Sequence, residues 1–300
     1  MPRLRAWEGY SLEITLAPSF IRALFEKRGS SYVKIAGRSR EAVIYQEDEW
    51  VVCEGCSGEE LSFWSGLWLD RGLVEERAPL LAKAQKGLGL SVDPFDRHLI
   101  FTAVFLSRAT NWEGNVLKWC RSIFSRAETL DDLFEFDFSR LERSFQLTQL
   151  KRALMSYAEV ADFRDVWEAR RRLLNIKNVG PKLADAYLIF SGLDSNAAPI
   201  DRHALRMASR LGITGKPPRK SFCLRYPCPS CPLSEQCLRS RLAKLYHPVA
   251  GWVQTAFYLH DKTFCSTRAC SSCPLSSSCK TISTTSVSTD TRWRGEATTP

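Results

Sequence analysis

Eight of the chain's eleven cysteines stand in two groups of four that share one spacing. The groups are Cys223, Cys228, Cys231 and Cys237, then Cys265, Cys270, Cys273 and Cys279. In both groups Pro-Leu-Ser follows the third cysteine, so the quartets are copies of one unit. Four thiolates in such a pattern bind either zinc or an iron–sulfur cluster. We expect structural metal groups, because protein ligands fill all four positions.

A tight turn at residues 177–180 offers a second kind of chemistry. The amphipathic segment before it ends near Ile176, and Pro181 stands where the first residue of a helix is favoured. Asn178 and Gly180 in the turn tolerate positive φ. Such a turn points backbone N–H groups outward at a helix N-terminus, where they bind anions. Taken alone, the turn is more often an ordinary helix–loop–helix connection than an anion site.

The segment around this turn resembles the signature of the helix–hairpin–helix (HhH-GPD) base-excision DNA glycosylases. In that family a lysine follows the hairpin, and an aspartate comes later in a Pro-hydrophobic-Asp-x-His context. Here Lys182 follows Gly180-Pro181, and Asp201 stands 19 residues after Lys182, within Pro199-Ile200-Asp201-Arg202-His203. The resemblance implies that Lys182 is a nucleophile and that Asp201 supports cleavage of the glycosidic bond.

An amine and a carboxylate are suited to that reaction. Breaking the bond between a base and C1′ leaves a cationic sugar, which the Asp201 carboxylate would stabilise while it orients or deprotonates the nucleophile. The Lys182 amine would attack C1′, and the resulting Schiff base permits β-elimination of the strand. Partial burial or neighbouring cations would lower the lysine pKa enough. The plainer interpretations are a solvated lysine at a helix start and an aspartate that caps a helix.

The likeness extends over residues 93–279 and implies a bifunctional DNA glycosylase and AP lyase. Residues 93–111 resemble the early helix of these enzymes, which ends near a DNA-intercalating loop. A base in duplex DNA must be flipped out before it can be excised. Arg108 and Asn111 are the candidates to fill the gap. The other expected DNA contacts are Lys177, Asn178, Val179, Gly180, Arg202 and His203.

The substrate is an oxidised base by this resemblance, with 8-oxoguanine first. Residues 182–185 (KLAD) and the strand-rich N-terminal segment look like the 8-oxoguanine branch. That branch has a cysteine where this chain has Ala186, and iron–sulfur clusters are commoner in the pyrimidine-repair and adenine-mismatch branches. Oxidised pyrimidines and uracil therefore stay open as substrates. Functions of another class also stay open, namely a non-catalytic iron–sulfur DNA-binding module or a redox-sensing regulator.

The two quartets differ in what the resemblance implies. The quartet at 265–279 stands where endonuclease III-type members carry a [4Fe–4S] cluster, which we expect here with zinc as the alternative, although its first gap is shorter than the family's. The quartet at 223–237 is an insertion relative to the family; its matching filler favours a second [4Fe–4S] cluster over zinc. Ligation shared between the quartets is a further alternative. Cys53 and Cys56 lack a partner pair, so we expect two ordinary thiols at a strand end.

The elements that position these residues change type along the chain. Residues 11–17, 31–37 and 40–55 are rich in β-branched and aromatic residues, which favours strands. Ser57 and Glu60 form a possible capping box, and Asp93-Pro94 is typical of a helix start. Further helices are predicted over 94–106, 113–125, 163–174, 181–191 and 201–211.

The predicted fold class is α+β, with a mostly α-helical glycosylase core, an N-terminal antiparallel β-rich domain and C-terminal cysteine metal motifs. The expected divisions are 1–90 (β-rich, with a trailing helix), 91–222 (helical catalytic core), 223–244 (inserted quartet), 245–281 (last helix and C-terminal cluster motif) and 282–300 (disordered tail).

Charge and composition narrow the partner. The 300 residues carry 42 Lys and Arg against 33 Asp and Glu, a net charge of +9, and residues 202–244 hold ten basic residues and one acid. This excess of positive charge favours a polyanionic partner, which we expect to be double-stranded DNA with a damaged base. We expect the protein to be a monomer. A hydrophobic content of 44% excludes global disorder. With no run of 18 apolar residues and no secretory pattern, we expect no membrane contact and an intracellular location, cytoplasmic and nucleoid-associated in a prokaryote.

Overall fold

The fold is taken from a computed structural model, which describes residues 1–161 and 165–280. The predicted tail 282–300 and the first positions of the predicted helix 163–174 lie outside the described residues. No helix in the described ranges is both long and apolar enough to pass through a membrane.

The N-terminal part contains a five-stranded antiparallel sheet, as predicted. Its strands are β1 (Arg3–Arg5), β2 (Phe25–Arg28), β3 (Ser31–Lys34), β4 (Val43–Glu47) and β5 (Trp50–Glu54). Their order is β1-β5-β4-β3-β2, and every neighbouring pair is antiparallel. Side chains alternate in β3, where Tyr32 and Lys34 are buried and their neighbours are partly exposed.

The strand prediction for residues 11–17 is wrong. Residues Leu12–Leu16 form a short helix, α1, and Phe20–Leu24 follow as a 3₁₀ turn. The Ser11 hydroxyl accepts a hydrogen bond from the Ile14 N–H and so caps α1. Leu12, Thr15 and Leu16 are buried, at the i, i+3, i+4 spacing of one helix face. The burial of that face overrides the β-branched composition.

The expectation of two ordinary thiols at Cys53 and Cys56 is also wrong. A disulfide joins them across the turn that follows β5, and their Cα atoms are 6.0 Å apart. Three residues of separation, a strand end and a glycine between them bring the two side chains together.

Thirteen further helices in the described residues follow the sheet. They are α2 (Gly58–Ser65), α3 (Arg71–Arg77), α4 (Pro79–Ala84), α5 (Arg97–Leu106), α6 (Leu117–Phe124), α7 (Leu130–Glu135), α8 (Phe145–Val160), α9 (Val166–Asn175), α10 (Pro181–Phe190), α11 (Arg202–Arg210), α12 (Lys220–Cys223), α13 (Leu238–Leu245) and α14 (Ala250–His260). The capping box is confirmed at α2: Glu60 N–H donates to Ser57 Oγ, and Ser57 N–H donates to the Glu60 carboxylate.

Helix α5 begins three residues later than predicted. The Asp93 carboxylate accepts the N–H groups of Phe95 and Asp96 at 2.9 and 3.0 Å, which forms a turn before the helix. The Lys34 ammonium from β3 is fully buried and pairs with both Asp93 and Asp96. Asp93 therefore serves the junction between the sheet and the helices instead of opening the helix.

The hydrophobic core is continuous from the sheet to the last helix. Residues 99–106 of α5 are all buried, and most of α14 is buried as well. Helix α10 packs against α5 and α9, and α11 packs against α14. These three contacts set the positions of the helices that carry Lys182 and Asp201.

Candidate active site

The predicted hairpin is present between α9 and α10. Asn178 has a φ of 67°, the left-handed conformation that Asn tolerates, and its Nδ2 donates to Gln149 Oε1 at 2.9 Å. Gly180 precedes Pro181, the first residue of α10, and a Cβ built on Gly180 would meet no atom within 4 Å. This side of the turn is therefore open to an external ligand.

The two remaining hairpin residues, Lys177 and Val179, differ in the exposure of their side chains. Lys177 is exposed, whereas the Val179 side chain is buried in the core. The Val179 carbonyl accepts a hydrogen bond from Lys220 Nζ at 2.9 Å, so α12 holds the hairpin from behind. The Val179 N–H also donates to the Ile176 carbonyl at 3.1 Å, so the backbone and the side chain of Val179 are both engaged within the fold.

Lys182 and Asp201 line the same cleft, which has a volume of about 720 Å³. Lys182 lies in the first turn of α10, and Asp201 is the N-cap of α11. Asp201 Oδ1 accepts the Ala204 N–H at 2.8 Å, while Oδ2 has no hydrogen bond within the described residues. The helix cap and the cleft carboxylate are thus the same side chain.

Electrostatics favour a reactive amine at this position. Burial lowers the pKa of Lys182 below its usual 10.5, and the nearby Asp201 charge offsets part of that effect. The neutral fraction of the amine at a given pH rises as its pKa falls. The Lys182 amine is therefore easier to deprotonate than that of a surface lysine, and the Asp201 carboxylate in the same cleft can stabilise a positive charge.

Several cleft residues were missed by the sequence analysis. Phe190 lies two helical turns after Lys182, and Phe20, Trp112 and Tyr258 add aromatic walls; Ala186, already identified from the sequence, lines the cleft between Lys182 and Phe190. Gln254 also lines the cleft; its side chain makes no hydrogen bond to any residue that the structure describes, although only 5% of the residue is exposed. One signal was available: Gln254 is a polar residue within the mostly apolar helix α14.

The two candidates for a DNA-intercalating role are separated. Asn111 is exposed at the cleft, where its Oδ1 accepts the Gly114 N–H at 2.7 Å. Arg108 lies outside the cleft lining: its guanidinium donates to the Phe105 carbonyl and to Gln149 Oε1, each at 3.0 Å, and stacks on the Phe105 ring. Asn111 is the better placed of the two.

Arg202 and His203 both line the cleft but differ in freedom. Arg202 is exposed. The His203 ring is largely buried, with its Nδ1 2.6 Å from an Asp261 oxygen and its ring edge-to-face with Tyr258. Arg206 also donates to Asp261, at 3.0 and 3.1 Å. His203 is therefore part of the wall that joins α11 to the end of α14.

The basic run of residues 202–244 is mostly at the surface, with one exception. Nine of its ten basic residues are partly or fully exposed, whereas Arg239 is 2% exposed and pairs with Asp185. Arg239 is thus removed from the set that can reach phosphates.

The four cysteines of the first quartet line one small cavity of about 80 Å³. Arg239 Nη1 donates to Cys228 Sγ at 3.1 Å. The described residues contain no group of three His, Cys, Asp or Glu side chains gathered tightly enough for a metal ion. Four thiols around a shared cavity, with a guanidinium donor to one sulfur, nevertheless fit the donor set of a thiolate-bound metal group.

The second quartet begins at Cys265, the last residue of a π-helical turn that continues α14, and its other three cysteines lie on or directly after two short 3₁₀ turns. Cys265 Sγ is 3.6 Å from Met207 Sδ on α11, and Cys273 Sγ is 3.3 Å from His260 Nε2. Leu275 anchors the segment in the core. The sulfurs of Cys265 and Cys273 therefore face the protein, and Cys270 is exposed.

Comparison with solved structures assigns the fold. The chain has the fold of the helix–hairpin–helix DNA glycosylases. Among the similar structures are an 8-oxoguanine glycosylase/lyase from Clostridium acetobutylicum in complex with DNA (18% identity, TM-score 0.62, 84% of this chain and 92% of that chain) and a 3-methyladenine DNA glycosylase from Archaeoglobus fulgidus (15% identity, TM-score 0.65, 88% and 99%). No protein-family model matches the sequence, and a search of curated proteins also found no match.

Proposed function

We propose that this protein is a bifunctional DNA glycosylase and AP lyase that removes an oxidised base from double-stranded DNA, with 8-oxoguanine as the first candidate. The observation that carries the proposal is that Lys182 and Asp201 line one cleft beside an open hairpin. The similar Clostridium acetobutylicum enzyme is described in complex with DNA that contains 8-oxoguanine opposite cytosine, which supports the choice of substrate.

The cleft suits a flipped nucleoside. Its volume of about 720 Å³ lies within the range of small-molecule sites, and aromatic side chains line it. A base can stack on Tyr258 or Trp112, and the unpartnered amide of Gln254 offers a donor and an acceptor to a base edge. The hairpin backbone and Lys177 hold phosphates, which position the duplex without reading sequence. Asn111 fills the space that the flipped base leaves.

The proposed reaction uses two side chains. The neutral amine of Lys182 attacks C1′, and the bond between C1′ and the base nitrogen breaks with its electron pair on the leaving base. The carboxylate of Asp201 stabilises the positive charge on the sugar and accepts a proton from the attacking nitrogen. The C1′–O4′ bond then breaks, O4′ takes up the proton held by Asp201, and a Schiff base forms between Lys182 and C1′; the released base removes a proton from C2′, and the 3′ phosphate leaves by β-elimination.

The cysteine quartets complete the proposal as structural sites. Cys223, Cys228, Cys231 and Cys237 would hold a [4Fe–4S] cluster or zinc, and Cys265, Cys270, Cys273 and Cys279 would hold a [4Fe–4S] cluster. Bound there, each group would supply a cross-link within its segment. The protein would act as a monomer inside the cell.

Borohydride trapping tests the proposal directly. The wild-type protein, incubated with a duplex that contains 8-oxoguanine, should form a covalent adduct under borohydride, and Lys182→Ala should form none. Lys262 is the matched control, because it is the other lysine that lines the cleft; Lys262→Ala should retain the adduct. Duplexes with an oxidised pyrimidine or uracil identify the lesion. Duplex binding without any adduct or base release would favour a non-catalytic DNA-binding module.

A further inference from the structure

A buried carboxylate lies one helical turn from Lys182. Asp185 of α10 is fully buried, three residues after Lys182. Arg170 from α9 binds both of its oxygens, Nε to Oδ1 at 2.7 Å and Nη2 to Oδ2 at 3.0 Å, and Arg239 from α13 donates Nε to Oδ1 at 3.0 Å. Burial opposes its ionisation, yet the two guanidinium groups hold the pKa of Asp185 below its usual range.

Arg239 reaches beyond this pair to the first cysteine quartet. Its Nη1 donates to Cys228 Sγ at 3.1 Å, and its guanidinium stacks on Trp167 at 5.2 Å. A single buried side chain thus bridges a carboxylate on α10 and a sulfur that lines the quartet cavity. The bridge connects an inserted segment to the helix that carries Lys182.

The contact between Arg239 and the Cys228 sulfur suits a bound metal at the quartet. Two guanidinium groups face Asp185, and Asp194 lies further off, 3.7 Å from Arg239 Nη2. A cysteine that binds a metal does so as a thiolate, and a negatively charged sulfur is a stronger acceptor for a guanidinium than a thiol. A metal-bound Cys228 would therefore hold Arg239 more firmly and, through it, Asp185.

We propose that Arg239 is a positioning residue that makes the placement of the Lys182 helix depend on the metal group in the first quartet. The inference rests on the proposed function for the role of Lys182 and on metal binding at residues 223–237. Asp185 and Lys182 share one turn of α10, so a loosened Asp185 loosens Lys182. The inserted quartet then contributes to the active site without touching substrate.

Hydrogen exchange of the full-length protein tests this inference without DNA. The wild type is compared as reconstituted with iron and sulfide, as loaded with Zn²⁺, and as stripped by a chelator. Stripping should raise exchange in peptides from α10 about tenfold, the effect of losing one charge-assisted hydrogen bond. Peptides from β4 and β5, which are remote in the fold, should not change.

Variants separate coupling from simple loss of stability. In Arg239→Met, α10 should exchange rapidly whether or not metal is present, and the thiolate-to-metal absorption should shift because one sulfur loses its donor. Arg239→Lys, the milder replacement should the first fail to fold, keeps a charge near Asp185 but lacks the fork that reaches both partners, so it should also lose metal dependence. Arg241→Met is the control, because Arg241 lies on the same helix and donates only to Thr214 among the described residues.

The inference and the proposed function fail in different ways. Exchange in α10 that is independent of metal in the wild type, in a protein that still forms the borohydride adduct, would overturn the role of Arg239 alone. Metal-dependent exchange without any adduct would leave the coupling intact and remove the proposed chemistry. Arg241→Met with the same exchange as Arg239→Met would also overturn the inference.

Discussion

Asp201 caps α11 and places a negative charge in the cleft. Replacing Asp201 by Asn separates these two roles, because it removes the charge and keeps the cap. Asn keeps an oxygen that can accept the Ala204 N–H, so the free energy of unfolding should change by less than about 1 kcal/mol. Asp201→Ala loses the cap as well and should cost about 0.5–2 kcal/mol. Urea denaturation of the two variants measures both changes in the free energy of unfolding.

Loss of the charge should be far more costly for catalysis than for folding. Single-turnover base excision by Asp201→Asn should fall by about 10²–10³-fold, the usual effect of deleting a group that stabilises transition-state charge. The affinity for the lesion duplex should not fall below that of the wild type, because the variant removes a negative charge from the cleft that is proposed to bind DNA.

The pH dependence of the same variant gives a signed result. Asp201 raises the pKa of Lys182 against the larger effect of burial. Without that charge the pKa of Lys182 falls further, so a larger fraction of the amine is neutral at a given acidic pH. The acid limb of the borohydride-trapping rate should therefore move to lower pH in Asp201→Asn, even though the maximal rate is smaller.

Two outcomes would refute this reasoning. Excision by Asp201→Asn at the wild-type rate would reduce Asp201 to a helix cap. An acid limb that moves to higher pH would show that the carboxylate does not interact with the Lys182 ammonium as the cleft geometry requires.

Three further predictions concern other parts of the molecule. Lys34→Met leaves two buried carboxylates without their cation and should cost about 3–5 kcal/mol in urea denaturation at neutral pH. Lys27→Met, an exposed control on β2, should have no measurable effect. Gln254→Ala should reduce kcat/KM for the preferred lesion about tenfold while leaving the trapping of a plain abasic site unchanged. Lys177→Ala should lower the slope of log affinity against log salt by about 1, and an unchanged slope would remove Lys177 from the phosphate contacts.

The sequence was most informative where local signals dominate. The hairpin, the α10 start at Pro181 and the Asp201 cap each depend on residue types within a few positions, and all three are present. The predicted antiparallel sheet is also confirmed. Its signals, the period-two alternation of side chains and the turn residues, are local as well. The roles of the site residues stay predictions.

The errors arise where tertiary contacts decide. Leu12–Leu16 is a helix because its apolar face is buried, which β-branched composition cannot reveal. The sequence predicts a helix start at Asp93, yet its partner is Lys34, 59 residues away in sequence. The basic run predicts a phosphate contact at Arg239, and only the fold shows that it is paired with Asp185. In each case the deciding partner is distant along the chain.

The buried Lys34 of β3 also limits how far this protein can be shortened from its N-terminus. The two aspartates before and at the start of α5 would remain in a fragment that begins at residue 91, whereas their cation would be lost with the sheet. Such a fragment would expose both carboxylates, because Lys34, Arg38 and Trp64, which contact them, lie in the removed residues, and it would also expose the apolar surface that the sheet had covered. Anyone who engineers this scaffold must therefore keep the sheet and the helices together. Shortened versions must start upstream of the strands, and a transplanted helical core needs a substitute for the Lys34 ammonium.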